Sequence, residues 1–63
     1  MCESTAVLKG SESEEIIQKE VALIRTDGDK ITIYGMLGDR REVRGAISEI
    51  DFMAHKIVII PKI

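Results

Sequence analysis

The stretch IRTDGDKITIYG, Ile24 to Gly35, reads as a β-hairpin, with two apolar runs separated by the turn signal Asp27-Gly28-Asp29. Asp-Gly between such runs points to a type I′ turn, whose two central residues both need φ > 0. The arms extend outward as Ile16 to Thr26 and Lys30 to Leu37. Gly38 to Arg40 marks another turn, and Arg41 to Phe52 reads as a long strand with Gly45 inside it. A glycine within a strand marks a bulge or sharp bend. DFMAHK, Asp51 to Lys56, has the look of a turn. The run Ile57 to Ile60 is as continuously apolar as a central strand buried on both faces, and Pro61 ends it. Toward the amino terminus, Cys2 to Lys9 favours extended chain through Thr5 and Val7, and GSESEE, Gly10 to Glu15, is a polar, acidic loop.

Helix is the competing reading for Ser13 to Arg25, because Ser13 can cap and Glu14, Glu15, Lys19 and Glu20 are helix formers. From Val21 onward, pairing across the Asp27-Gly28 turn is the better account. Five short strands joined mostly by tight turns give an all-β fold class. They predict a small antiparallel barrel of the SH3-like or Sm-like kind, formed by a single domain over residues 1–63. Closure removes the edges that a flat sheet of this size would leave exposed.

A domain of 63 residues buries only about 60% of the surface its unfolded chain exposes, so its core is marginal. Such chains gain their margin from a disulfide, a metal or a partner subunit. Cys2 is the only cysteine, which excludes an internal disulfide and leaves a bound ion, oligomerisation or both. Nine Lys and Arg against eleven Asp and Glu give a net charge of -2, which offers no general attraction to nucleic acid or anionic lipid. No apolar run is long enough to span a bilayer, no basic leader precedes one, and a lone thiol suits a reducing compartment. A soluble, cytoplasmic protein without a membrane partner is expected.

Cys2 has two readings. As a residue type it is a small hydrophobe that packs under a strand; beside a chain terminus it is a candidate metal ligand. An α-amine of pKa about 8 and a thiol of pKa about 8.5 are weak ligands separately, but adjacent on the backbone they close small chelate rings on one ion. With Met1 removed, Cys2 offers its own amine and thiolate; with Met1 retained, the Met1 amine, the Cys2 amide nitrogen and the Cys2 thiolate form consecutive rings. Nitrogen with soft thiolate favours Ni(II) or Cu(II), with Zn(II) less suited to a planar set. One chain supplies too few donors, whereas two chains meeting at their termini supply two thiolates and two nitrogens, coupling metal binding to a homodimer.

The other candidates are weaker. His55, the only histidine, is better read as a hydrogen-bonding turn residue than as a ligand, and the side chains of Met1, Met36 and Met53, not spaced as a thioether site, as core filling. Glu12, Glu14 and Glu15 lack the spacing of a calcium loop. Nothing assembles a nucleophile, base and orienter, so the chain does not read as an enzyme. Arg40, Arg41 and Arg44 are the alternative site, a small-barrel RNA-binding surface, although strand alternation sets Arg41 opposite the other two. Tyr34 and Phe52 are the only aromatics available for base stacking.

The start MC-x-S (Met1, Cys2, Ser4), the centre DGDKITIYGMLGDRREVRG and the ending GAISEIDFMAHKIVII resemble the CooT family of small nickel-binding proteins over essentially the whole chain. The resemblance implies a homodimer that binds Ni(II) at the subunit interface through Cys2 of each chain, with nitrogen ligands from the terminus. It also implies a chaperone-like role toward a nickel-enzyme client, in some organisms carbon monoxide dehydrogenase during its maturation. The family has also been described as RNA-binding, on the strength of its barrel shape. Glu3, often apolar in relatives, and the long acidic GSESEE loop depart from the family pattern, and both bear on the identity of the client.

Overall fold

The computed structural model describes residues 4–62, which form five β-strands and their turns. The strands are β1 (Ser4–Lys9), β2 (Glu14–Asp27), β3 (Lys30–Gly35), β4 (Arg40–Asp51) and β5 (Lys56–Pro61). They close into a ring in chain order, with β5 returning to β1. Four junctions are antiparallel. The fifth, between β1 and β5, is parallel, so the expectation of a wholly antiparallel barrel is corrected there. Strands joined by hairpins alternate in direction, and five of them bring the first and last to the seam pointing the same way.

Ser13 to Arg25 contributes no helix. Its first half pairs with β1 and its second half with β3, so tertiary pairing overrides local helix propensity. The acidic loop is shorter than expected. The Gly10 N–H donates to the Ser13 carbonyl at 2.8 Å, and Glu14 and Glu15 already stand opposite Lys9 and Leu8 in the ladder. The β2–β3 turn is Gly28-Asp29, and of the two only Gly28 has positive φ, 63°. That is the type II′ pattern, with glycine at the first central position, and not the type I′ pattern.

β2 and β4 run to 14 and 12 residues because each pairs with one neighbour along its first half and with the other along its second. β2 pairs with β1 as far as Val21, opposite Ser4, and with β3 from Val21 onward. β4 pairs with β3 up to Arg44 and with β5 from Gly45. Each change of partner requires a bend. In β2 the register slips beside Glu20, which holds a left-handed φ of 55° and whose carbonyl accepts from the Met36 N–H at 3.1 Å. In β4 the partner changes at Gly45, where any Cβ would collide with the Ile60 carbonyl oxygen, and the ladder's register slips just beyond it, between Ile47 and Glu49.

Alternate residues point into the ring. Ala6, Ile31, Ile33, Ile57 and Ile59 form the core, with Leu8, Ile17, Val21, Ile24, Val43 and Ile47 packed against it. Burying one such aliphatic side chain contributes about 1.5–3 kcal/mol. β5 is buried over Ile57, Val58 and Ile59, but Ile60, which the sequence reading placed in the same buried run, is 46% exposed. Val58 lies on the outer face opposite Val7. The ion pair between Lys56 of β5 and Glu14 of β2, at 3.1 Å, has to cross the outer face of β1, the strand between them, and so helps to cover that valine pair.

The far end of the chain is latched to the β2–β3 turn. Asp29 accepts hydrogen bonds from the Lys62 ammonium at 2.7 Å and the Arg44 guanidinium at 3.0 Å, and the Lys62 N–H donates to the Arg44 carbonyl at 3.0 Å. The hydrogen bonds from Lys62 and then Arg44 hold the Asp29 carboxyl below its ordinary value of 3.8. A carboxyl lowered on folding adds stability above its unfolded pKa and loses it as pH falls through the folded value.

Three outcomes are expected. Gly45→Ala lowers the urea midpoint by the equivalent of about 2 kcal/mol or more, whereas Glu20→Gly, by relieving a left-handed non-glycine residue, raises it by about 1 kcal/mol; an unchanged midpoint in Gly45→Ala would contradict the close approach to Ile60. Asp29→Asn lowers the melting temperature at neutral pH, and its deficit against the natural chain shrinks as pH drops below the ordinary carboxylate range. A deficit that persists undiminished in acid would contradict the ionic latch.

Candidate metal centre

Met1 and Cys2, the expected ligands, lie outside the described residues. The place where the chain leads to them is defined by the parallel seam. Thr5 stands opposite Lys56, so β1 begins beside the β4–β5 turn, and the Thr5 N–H donates to the His55 carbonyl at 2.8 Å. That turn is Phe52 to His55. The Asp51 carboxylate accepts from the Met53 and Ala54 N–H groups, both at 3.0 Å, and His55 closes the turn at a φ of 55°. His55 thus serves the fold through its backbone, as a turn residue that hydrogen-bonds the first strand, while its ring side is exposed.

Among the described residues, no three of His, Cys, Asp and Glu converge on a point that could hold a metal ion. Of the acidic residues in the expected loop, Glu14 is paired with Lys56. Met36 and Met53 are not core filling, a correction to the sequence reading. They sit in the β3–β4 and β4–β5 turns, outside the ring, and both are exposed. Arg40 stands opposite Tyr34 and Arg44 opposite Lys30, whereas Arg41 stands opposite the inward-pointing Ile33. Arg40 and Arg44 therefore share the outer face without Arg41, as alternation predicts. Arg44 is engaged by Asp29, and Lys30 by Glu42 at 3.1 Å.

An apolar groove escaped the sequence reading. It is about 330 Å³ in volume, opens at one mouth of the ring between the second halves of β2 and β4, and is lined by Ser4, Leu23, Ile24, Ile50, Phe52 and Ile57 among others. None of its lining residues is charged, in a chain of which 32% is charged. Ile50 stands opposite the buried Ile57 yet remains 47% exposed, and Phe52 beyond it is 80% exposed. The signal was present in Val21-Ala22-Leu23-Ile24, since four consecutive apolar residues in a strand with one buried face must leave some outside.

The sequence profile of the family described as CO dehydrogenase accessory protein CooT matches residues 1–60. The chain belongs to the CooT family. That description is of an accessory protein and names no reaction of its own. Similar chains include an uncharacterized protein of Archaeoglobus fulgidus, 42% identical over 41 residues that make up 65% of this chain and 91% of the relative. An uncharacterized protein of Methanocaldococcus jannaschii is 30% identical over 59 residues, 94% of this chain and 96% of the other. A crystal structure assigned as CooT from Carboxydothermus hydrogenoformans superposes with a TM-score of 0.89, covering 98% of this chain and all of that one at 18% identity. At that identity the likeness is one of fold.

The turn geometry has a direct check. His55→Gly is expected to leave the melting temperature equal or higher, because glycine accepts positive φ without strain, whereas His55→Val loses about 1–2 kcal/mol. Equal losses in both variants would mean that the imidazole, and not the backbone, is what the turn needs.

Proposed function

We propose that this chain binds Ni(II) as cargo and holds or delivers it for the maturation of a nickel enzyme, carbon monoxide dehydrogenase being the client named in the family's description. The Cys2 thiolate is the sulfur ligand, and the terminal amine and adjacent backbone amide are the nitrogen ligands. Two chains meet to complete the site. The observation that carries the reading is the family match, which runs from residue 1 and so takes in Met1 and Cys2. The donor chemistry agrees with it: thiolate with amine and amide nitrogen suits Ni(II) or Cu(II) over hard cations. Among the described residues nothing competes, since no His, Cys, Asp and Glu cluster offers a second place for the ion.

Titrating the metal-free natural chain with Ni(II) is expected to produce thiolate-to-nickel charge-transfer absorption that saturates at one ion for two chains. Cys2→Ser abolishes the band. A chain made with an acetylated amino terminus binds at least about tenfold more weakly, equivalent to about 1.4 kcal/mol. A Cys2→Ser chain that binds Ni(II) as tightly as the natural one would sink the proposal.

A further inference from the structure

The β3–β4 turn, Met36 to Asp39, displays two apolar side chains that the fold does not use. Leu37 is 92% exposed and Met36 52% exposed. The tip is nevertheless held firmly. The Gly38 N–H donates to the Gly35 carbonyl at 3.2 Å, the Gly35 N–H to the Asp39 carbonyl at 2.8 Å and the Met36 N–H to the Glu20 carbonyl at 3.1 Å. The Gln18 side-chain amide donates to the Asp39 carboxylate at 2.8 Å, and that carboxylate lies so close over Gly35 that any Cβ there would collide with it. Gly38 supplies the positive φ, 92°, at the end of the turn. An apolar side chain carried on a turn already fixed loses little backbone freedom when a partner covers it.

Two further observations bear on what covers it. The first is charge. Ion pairs among the described residues engage Lys30, Arg44, Lys56 and Lys62, and leave the exposed Arg40 and Arg41, directly after the turn, without a carboxylate. The Asp39 carboxylate beside them is already taken by Gln18. The second is position. Val21 stands opposite Ser4 on one side and Gly35 on the other. The turn therefore springs from a point two strand spacings, about 10 Å, from the residue that leads back to Cys2.

We infer that this turn, with Arg40 and Arg41, is the surface by which the chain docks on the nickel enzyme it serves, Leu37 entering an apolar recess rimmed by carboxylates. A second copy of the chain is a poor occupant, because a two-fold contact through the turn sets its arginines against one another. An anionic membrane is disfavoured too. The net charge of -2 repels such a surface as a whole, whereas a protein partner can oppose the two cations alone. The inference rests on the proposed function for the partner's identity and deepens it, since docking at the turn brings the partner within reach of the amino-terminal arm.

The test is biolayer interferometry of the chain, supplied with Ni(II), on immobilised, nickel-free carbon monoxide dehydrogenase. Saturable binding that weakens with added salt is expected. Leu37→Asp, and Arg40→Glu combined with Arg41→Glu, are each expected to raise the dissociation constant at least about tenfold, equivalent to about 1.4 kcal/mol. Leu37→Met keeps an apolar side chain and retains binding. Lys9→Glu is the control, a charge reversal at the far end of β1 that leaves binding unchanged. The melting temperature and Ni(II) titration of Leu37→Asp are expected to match those of the natural chain, which separates a lost contact from a lost fold or a lost ion. No binding by the natural chain would overturn the inference, as would binding indifferent to both turn changes, or a turn that attaches the chain to phosphatidylserine vesicles instead. A chain that docks through the turn yet takes up no Ni(II) would leave it standing and overturn the proposed function alone. Equal nickel loading of the enzyme by the natural chain and Leu37→Asp would overturn the inference and leave the proposed function standing.

Discussion

Strands linked by hairpins must alternate in direction, and an odd number of them cannot alternate all the way round a ring. The parallel pairing of β1 with β5 is the consequence, and much of the rest of the molecule follows from it. It sets the beginning of β1 against the beginning of β5, so the start of β1 and the β4–β5 turn are neighbours joined by the Thr5 to His55 hydrogen bond. It also gives β5 a partner on each edge, β1 on one and β4 on the other. The ring stays small enough for an isoleucine core because β2 and β4 bend sharply and serve two partners each. Val21 and Gly45 are the corners where the partners change.

The two corners are built differently, and this difference governs what could be read beforehand. Gly45 announces itself, since a glycine inside a strand is rare unless backbone approaches backbone, and the Ile60 carbonyl is the backbone in question. The β2 corner carries no such mark. Glu20 takes the left-handed conformation usually left to glycine, under the constraint of a carbonyl bonded to Met36, and nothing in a glutamate betrays that. Length was misjudged for a related reason. Glu14 and Glu15 look like loop residues because they are charged, yet in the ladder they need only a solvent-facing position, which the β1–β2 hairpin gives them. Strand order and the buried β5 were legible because hairpin turns and unbroken aliphatic runs are local signals. The groove was not, because it joins residues from four strands that only closure brings together.

Charge is distributed in a way that separates the surfaces of the ring. The outer face over β3 and its neighbours mixes Arg40, Arg44 and Lys30 with Glu42 and Asp29, much of it in ion pairs. Exposed ion pairs of this kind contribute little stability each, and their interleaving leaves no continuous basic stripe for a phosphate backbone. The mouth beside Ser4 is uncharged. A chain this small cannot hide all of its apolar side chains inside: Leu23, Ile50 and Phe52 are exposed at that mouth, and Ile16, Met36, Leu37, Met53 and Ile60 are exposed elsewhere.

The seam has a consequence for when the protein becomes itself. β1 is made first and β5 last, and β1 finds its second partner only after β5 has left the ribosome. Pairings so distant in sequence close slowly, because the loop entropy must be met before the contact rewards it. Until that moment the growing chain is an open meander with Ala6 and the other core residues only half enclosed. Anything that needs the closed ring therefore forms only after β5 has paired with β1.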